Sequence, residues 1–452
     1  MKKYKIIIFL IILIFSMGTA YASDINGTLE STTDNSVADS LYTFTDLANS
    51  ITDSNYELNL TSDYKYDEEK DKDLYPPSGD KNIKIDKPIF VINGNNHSID
   101  ADFKEGIGIF HLLGNNVTIN DLTIKNVLAT PIKAKSDLIL NNVQFINSGI
   151  SESKIIDTSS NLTLERCRME NITGPAVIIN NAESLTVINS VFLNSKTKTK
   201  GFITSFTNKL ILENCKFENI TSEYGVALHS VAINFANIDN CLFTNLHANI
   251  TGGAIALKGI PMNEEMKKYN ITHETYVVVK NSIFSNVSSE KNGGAIFTDM
   301  GSAPFKEGSI GGNVSIINSG FINCKSEFGG AILHLNGNIT IINSNFTNNS
   351  ASVSGGAVYT SYADMIIKDS IFHDNFASRC GGAIYSELNT TSIDNSSFIS
   401  NKAEKLSEFN PSTIYTYDTS VYIRNSFFNN SKQSISSIFT KKIRGREQHL
   451  EQ

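Results

Sequence analysis

Residues Gly381–Asn401 read GGAIYSELNTTSIDNSSFISN, and residues Gly355–Asn375 read GGAVYTSYADMIIKDSIFHDN. The glycine pair, the alanine, the tyrosine and the closing Phe-x-x-Asn keep their places while the residues between them change. Conserving the chemistry of fixed columns in this way is what a chain does when successive segments are layers of one core. Working outward from the phenylalanine, the same column holds Phe145, Phe192, Phe217, Phe243, Phe284, Phe321, Phe346, Phe372, Phe398 and Phe428, with Ile124 and Met169 in two layers, and most successive gaps are 21 to 26 residues.

The neighbouring columns keep the same register. Five residues before the aromatic the column is aliphatic throughout, from Ile119, Leu140 and Leu164 to Ile393 and Ile423. Seven before it come Val117, Leu138, Leu185, Leu210 and Ile339, so the segment alternates apolar and polar like a strand that buries one face. The phase then slips, which requires the chain to turn at the third residue before the aromatic. That residue is Asn142, Asn189, Asn214, Asn240, Asn281, Asn318, Asn343, Asn395 or Asn425 in most layers, and asparagine tolerates the left-handed conformation better than other non-glycine residues. A second polar column follows two residues after the aromatic, at Asn126, Asn147, Asn171, Asn194, Asn219, Asn245, Asn286, Asn323 and Asn348.

Short strands and polar corners recurring at this interval describe a coil. One coil cannot bury its apolar face, so it is stable only when stacked on copies of itself. Stacked in parallel at roughly 4.8 Å per layer, identical positions become ladders, with Phe and Ile inside and Asn amides bonded along the corners. The expected fold is all-β, a parallel β-helix (solenoid) of about 12–13 coils, roughly 60 Å long, with an N-terminal helical cap. A second motif punctuates the coils: GGAI at Gly252–Ile255, Gly293–Ile296, Gly329–Ile332 and Gly381–Ile384, and GGAV at Gly355–Val358. Glycine pairs of this kind suit a tight corner that needs positive φ or close backbone approach.

The GGAI motifs interleaved with NSxFxN motifs resemble the repeat of the chlamydial polymorphic outer membrane proteins and of the adhesin-like surface proteins of methane-producing archaea. The resemblance covers roughly residues 86–430. It implies a secreted or surface-displayed β-helix with an adhesive role, right-handed by analogy, and it carries over no catalytic residues. Nothing after Asn430 is long enough for the barrel of the chlamydial proteins or for the wall-binding modules often appended to the archaeal ones.

The ends divide the chain further. Residues 1–22, MKKYKIIIFLIILIFSMGTAYA, have the basic start, short apolar run and small-residue exit of a secretory signal peptide. No other segment could cross a bilayer, so the mature chain is expected to be secreted or at the cell surface with no membrane span. Residues 23–85 are read as an N-terminal capping region, in which SLYTFTDLANSIT places Leu41, Phe44, Leu47, Ala48 and Ile51 at helical spacing and Ser62–Asn82 forms a charged, solvated loop. Residues 86–430 form the repeat domain, and residues 431–452 a polar, basic tail without a capping element, open to disorder.

Composition narrows the partners. The net charge of −8 and the absence of any long basic run argue against nucleic acid. Five cysteines, none in a CxxC pair, fit neither a disulfide framework nor a zinc site; Cys167, Cys215 and Cys241 occupy a column held by serine in seven other layers, and a Cys215–Cys241 bridge between adjacent layers is conceivable. No calcium repeat GGxGxD appears, the histidines His229, His334 and His373 fall in different registers, and the repeat acids stand singly beside the corners. No cofactor or metal is therefore expected, and the chain reads as a non-enzyme. Polysaccharide lyases and hydrolases share this architecture and remain the alternative, as does a purely structural envelope protein.

Two features point to a polysaccharide, or a cell-surface glycan or protein, as partner. Inserts after the glycine motif, KGIPMNEEMKKYNITHETY and TDMGSAPFKEGSIGGN, leave neighbouring coils at one corner. Two residues past the motif alanine stand Phe297, Leu333, Tyr359, Tyr385 and, in a degenerate copy, Tyr415. If this column faces outward, Phe297, Tyr359, Tyr385 and Tyr415 form an aromatic stripe suited to stacking on sugar rings; if the alanine sets the inward face, they are core.

Overall fold

A computed structural model describes residues 42–75, 81–150, 153–198, 200–259, 275–300, 312–404, 412–429 and 436–441. The expected signal peptide, most of both inserts and most of the tail lie outside the described residues. The chain is a right-handed parallel β-solenoid of about 12 turns, and the described residues include one short helix at its N-terminal end.

The register follows the sequence columns. Phe284, Phe321, Phe346, Phe372, Phe398 and Phe428 pair in succession across parallel strands, and so do Val279, Ile316, Ile341, Ile367, Ile393 and Ile423. From Phe192 to Phe428 the rings form one pile, with centroids 4.5–5.4 Å apart and planes within about 10° of parallel. Fully burying one such side chain stabilises by about 1.5–3 kcal/mol, which is what drives each coil onto the one below.

The corners are left-handed, as the phase slip requires. Asn318 and Asn343 have φ of 49° and 47°, and even Arg166, the odd residue in that column, adopts 52°. The second polar column is also left-handed, from Asn126 at 58° to Ser400 at 54°, so each coil turns twice within a span that the sequence pattern marks with only one expected corner. The outer amides bond vertically: Asn214 donates to Asn189 at 3.0 Å, Asn240 to Asn214 at 2.8 Å and Asn343 to Asn318 at 2.8 Å, each toward the preceding coil. The second corner repeats this, with Asn219 donating to Asn194 and Asn245 to Asn219, both at 3.0 Å.

Both glycines of GGAI are required by geometry. The first has positive φ, 64° at Gly329 and 70° at Gly355. At the second, a Cβ on Gly330 would overlap the carbonyl oxygen of Gly356 in the next coil. Inside, the serine column satisfies the backbone: the Ser344 hydroxyl accepts from the Ser319 N–H at 3.2 Å and donates to the Ile342 carbonyl at 2.8 Å. Cys167, Cys215 and Cys241 fill the same buried column, and all five thiols are free, so the Cys215–Cys241 bridge is not formed.

At the N-terminal end Phe44–Asp53 is a helix whose Phe44, Leu47 and Ile51 are buried. Thr43 and Asp46 cap it reciprocally, and the buried Asp71 carboxylate accepts from the N–H groups of Phe44 and Thr45 at 3.2 and 2.7 Å. The segment read as a solvated loop thus contributes to the cap, with Tyr75 packed edge-on against Phe44. Strand pairing already begins N-terminal to residue 86: Glu57–Asn59 pairs with Ile89–Asn93, and Ile83–Ile85 with Phe110–Leu112. At the other end Ser436–Lys441 stacks on Ser412–Tyr417, placing Phe439 over Tyr415. No described helix is long and apolar enough to cross a membrane.

Candidate functional site

At the start of the strand that follows each glycine pair, successive side chains take opposite sides. In Ile332–Ile342 the residues Ile332 and His334 are buried toward the coil interior, while Leu333 and Leu335 point the other way. The tyrosine column therefore lies outside the main core. Phe297, Leu333, Tyr359, Tyr385, Tyr415 and Phe439 pair in sequence along it, one per coil. Phe297 and Leu333 form a small apolar cluster of their own with Ala256, against which Phe328, Leu335 and Tyr359 pack.

Of the candidate residues, Phe297 and Tyr415 are nearly covered, at 7% and 4% exposure, whereas Tyr359 and Tyr385 are half-buried. Tyr359 stacks on Tyr385 at 4.6 Å and Tyr385 on Tyr415 at 5.4 Å. The ring faces are thus turned toward one another along the pile. What the column offers to a partner is ring edges and hydroxyls, and the sugar-on-face stacking that the sequence suggests has no open face within it.

A residue the sequence reading missed joins these hydroxyls. Glu387 Oε1 accepts from the Tyr359 hydroxyl at 3.1 Å and from Ser361 Oγ at 2.7 Å, and its Oε2 accepts from the Tyr385 hydroxyl at 2.9 Å. Burial, and next the adjacent Glu387 charge, push both tyrosines well above the ordinary phenol range. Their hydroxyls stay protonated donors. The signal was in the spacing: Tyr385-Ser-Glu387 puts the ring and the carboxylate on one side of a strand.

The other polar candidates scatter. His334 is fully buried with Nδ1 at 2.8 Å from Thr298 Oγ1, and His229 stands outside the coil beside Tyr224. His373 lies near Asp374 on another face. Among the described residues no group of three or more His, Cys, Asp or Glu side chains could hold a metal ion. The described surface contains shallow hollows; one of about 410 Å³ lies along the corner amides at Asn171, Asn194 and Asn219.

The family models that match agree with this architecture. Residues 106–259 match the right-handed β-helix region family, and residues 343–361 and 369–387 each match the Chlamydia polymorphic membrane protein repeat. The two repeat segments contain Tyr359, Tyr385 and Glu387. No curated protein matches the chain. Among solved structures it is similar to the A-module of an Azotobacter vinelandii mannuronan C-5 epimerase, at 10% identity over 92% of this chain and 98% of that one, with a TM-score of 0.32. It is also similar to tailspike protein 3 of bacteriophage CBA120, at 11% identity over 92% of this chain and 60% of that one, with a TM-score of 0.31.

Proposed function

We propose that this chain is an exported, adhesin-like β-helix protein, non-enzymatic, that presents its GGAI face and the adjoining inserts to a polysaccharide or cell-surface glycan. The observation that carries the reading is the continuous outward column from Phe297 to Phe439, which stands apart from the main core. Within it Tyr359 and Tyr385 keep ring edges and hydroxyls partly exposed beside Tyr362, 37% exposed, and amphipathic aromatic edges of this kind suit a polar, hydrogen-bonding contact surface. The two polymorphic membrane protein repeats span part of this strip, in keeping with display at a cell surface.

The test uses the mature chain, residues 23–452, on an array of immobilised polysaccharides and on whole cells. Wild type is expected to bind a subset of surfaces, with binding lost in Tyr359→Ser/Tyr385→Ser and weakened when residues 260–274 are replaced by a short Gly-Ser link, both variants keeping the wild-type circular dichroism spectrum. Binding to no surface, or binding unchanged in both variants, overturns the reading. The same samples, assayed for unsaturated or reducing-end products, separate it from a polysaccharide lyase or hydrolase. Fractionation of producing cells checks export.

A further inference from the structure

The second asparagine corner has a two-coil rhythm. Two residues after each of its asparagines, one position stacks from coil to coil, and along it the hydroxyls of Thr173, Thr221, Ser288 and Ser350 take turns with Lys196, His247 and Lys325. The asparagine itself is kept in every one of these coils. The tripeptide Asn-x-Ser/Thr is therefore complete at Asn171, Asn219, Asn286 and Asn348 and broken at Asn194, Asn245 and Asn323. The amide ladder runs through both kinds of coil alike and does not need this alternation.

Such a tripeptide on the surface of an exported chain is an acceptor for sugar on the asparagine nitrogen. All four asparagines are exposed. Each gives one N–H to the preceding coil: Asn171 to Asn147 and Asn219 to Asn194 at 3.0 Å, Asn286 to Asn245 at 3.2 Å and Asn348 to Asn323 at 2.6 Å. A carboxamide nitrogen carries two hydrogens, so sugar can replace one while the other keeps the ladder bond. Asn389, in Asn-Thr-Thr, is a built-in contrast. It is half-buried, and its Nδ2 donates both to the Ala363 carbonyl at 2.6 Å and to Thr360 Oγ1 at 3.4 Å, which uses both hydrogens. There is also room at the corner, because Asn171, Thr173, Asn219 and Thr221 border the hollow of about 410 Å³. Alternate coils set attachments roughly 10 Å apart, whereas bulky sugars on every coil would be crowded at roughly 4.8 Å.

We propose that Asn171, Asn219, Asn286 and Asn348 form a row of N-glycosylation sites along this corner. The donor is an oligosaccharide joined through its anomeric carbon to a lipid diphosphate. The bond from Nδ2 to the anomeric carbon forms as the anomeric carbon–oxygen bond breaks; the lipid diphosphate leaves with the bonding electrons, and one amide proton passes to a base of the transferring enzyme. This rests on the export in the reading above and not on its glycan binding.

Peptide mass spectrometry of the chain isolated from the cells that produce it, run beside the fractionation of those cells, tests this. A sugar mass is expected on peptides bearing Asn171, Asn219, Asn286 and Asn348, and none on Asn194, Asn245 or Asn389. Thr173→Ala and Thr221→Ala should each remove the mass from their own asparagine and leave the other. Lys196→Thr completes the tripeptide at Asn194, yet the intact mass should gain no further glycan, because the coils on either side already carry one. An exported chain without sugar at Asn171 and Asn219, sugar instead on strand asparagines such as Asn338, or equal modification of Asn389 overturns the inference and leaves export standing. A chain retained in the cell and bare of sugar overturns both. A Lys196→Thr chain heavier by one glycan overturns the two-coil spacing.

Discussion

Replacing Phe321 by alanine takes one ring out of the middle of a continuous pile. Phe321 is fully buried and stacks on Phe284 and on Phe346, at 4.8 Å in both directions and with planes 2° and 4° from parallel. Loss of a buried phenylalanine costs about 3–5 kcal/mol where the site cannot collapse, and here the coils are held at the spacing of their ladder hydrogen bonds, so collapse is blocked. Two stacked contacts of about 0.5–1.5 kcal/mol each lie within that figure. Because coils interact only with their neighbours, the damage is local: urea unfolding followed by far-ultraviolet circular dichroism should show an earlier and broader transition. A cycle with Phe284→Ala should show coupling of about 1 kcal/mol, whereas a cycle with Phe192→Ala, several coils away, should be additive within about 0.5 kcal/mol. A cost below about 1.5 kcal/mol, or equal coupling to both partners, would show that the rings do not form the stabilising spine described here.

Other outcomes follow from the same geometry. Gly330→Ala should sharply lower soluble yield and melting temperature, because its methyl group meets the Gly356 carbonyl, whereas Gly320→Ala, which faces open space, should be neutral within about 0.5 kcal/mol. Burial pushes His334 down to about 3 and His229 down to about 4, below the ordinary value of 6.5. The unfolded chain therefore takes up protons that the folded chain refuses, so stability should fall as pH drops below about 6.5, by up to about 1.4 kcal/mol per pH unit for each histidine, and His334→Leu should flatten the slope in pH-dependent melts. All five thiols are buried, and burial pushes Cys167 and Cys324 up to about 12, so a disulfide-exchange reagent should label none of them until the protein is unfolded.

The ladder fold was legible because each column conserves a property that only stacking explains: the aliphatic set through Ile119 and Ile423, the aromatic set ending at Phe428, and the asparagines of the first corner. Hydrophobic periodicity reports which residues avoid water, so it is silent on polar residues that point inward and are satisfied by the next coil. Asn349, Asn375 and Asn401 are such residues: all fully buried, they bond to one another at 3.0 and 2.8 Å and to the carbonyls of Phe321, Phe346 and Phe372. Their column stands in plain view after each phenylalanine, yet its inward facing depends on the second left-handed corner. The facing of Tyr359 and Tyr385 was likewise open in the sequence, since Ala357 and Val358 are both buried around a corner and either parity fits. Glu387 escaped notice because the Tyr385-Ser-Glu387 spacing supplies only one of its partners, and the hydroxyls of Tyr359 and Ser361 are brought to it by the neighbouring coil.

The corner amides give the solenoid a direction. Asn214 reaches back to Asn189, Asn240 to Asn214 and Asn343 to Asn318. A newly wound turn thus finds its acceptors already immobilised on the finished turn beneath, while its own oxygens wait for a successor. Construction starting from the helix-plugged base needs only the last completed layer as a template, so the first turns can take their final form without waiting for the carboxyl end.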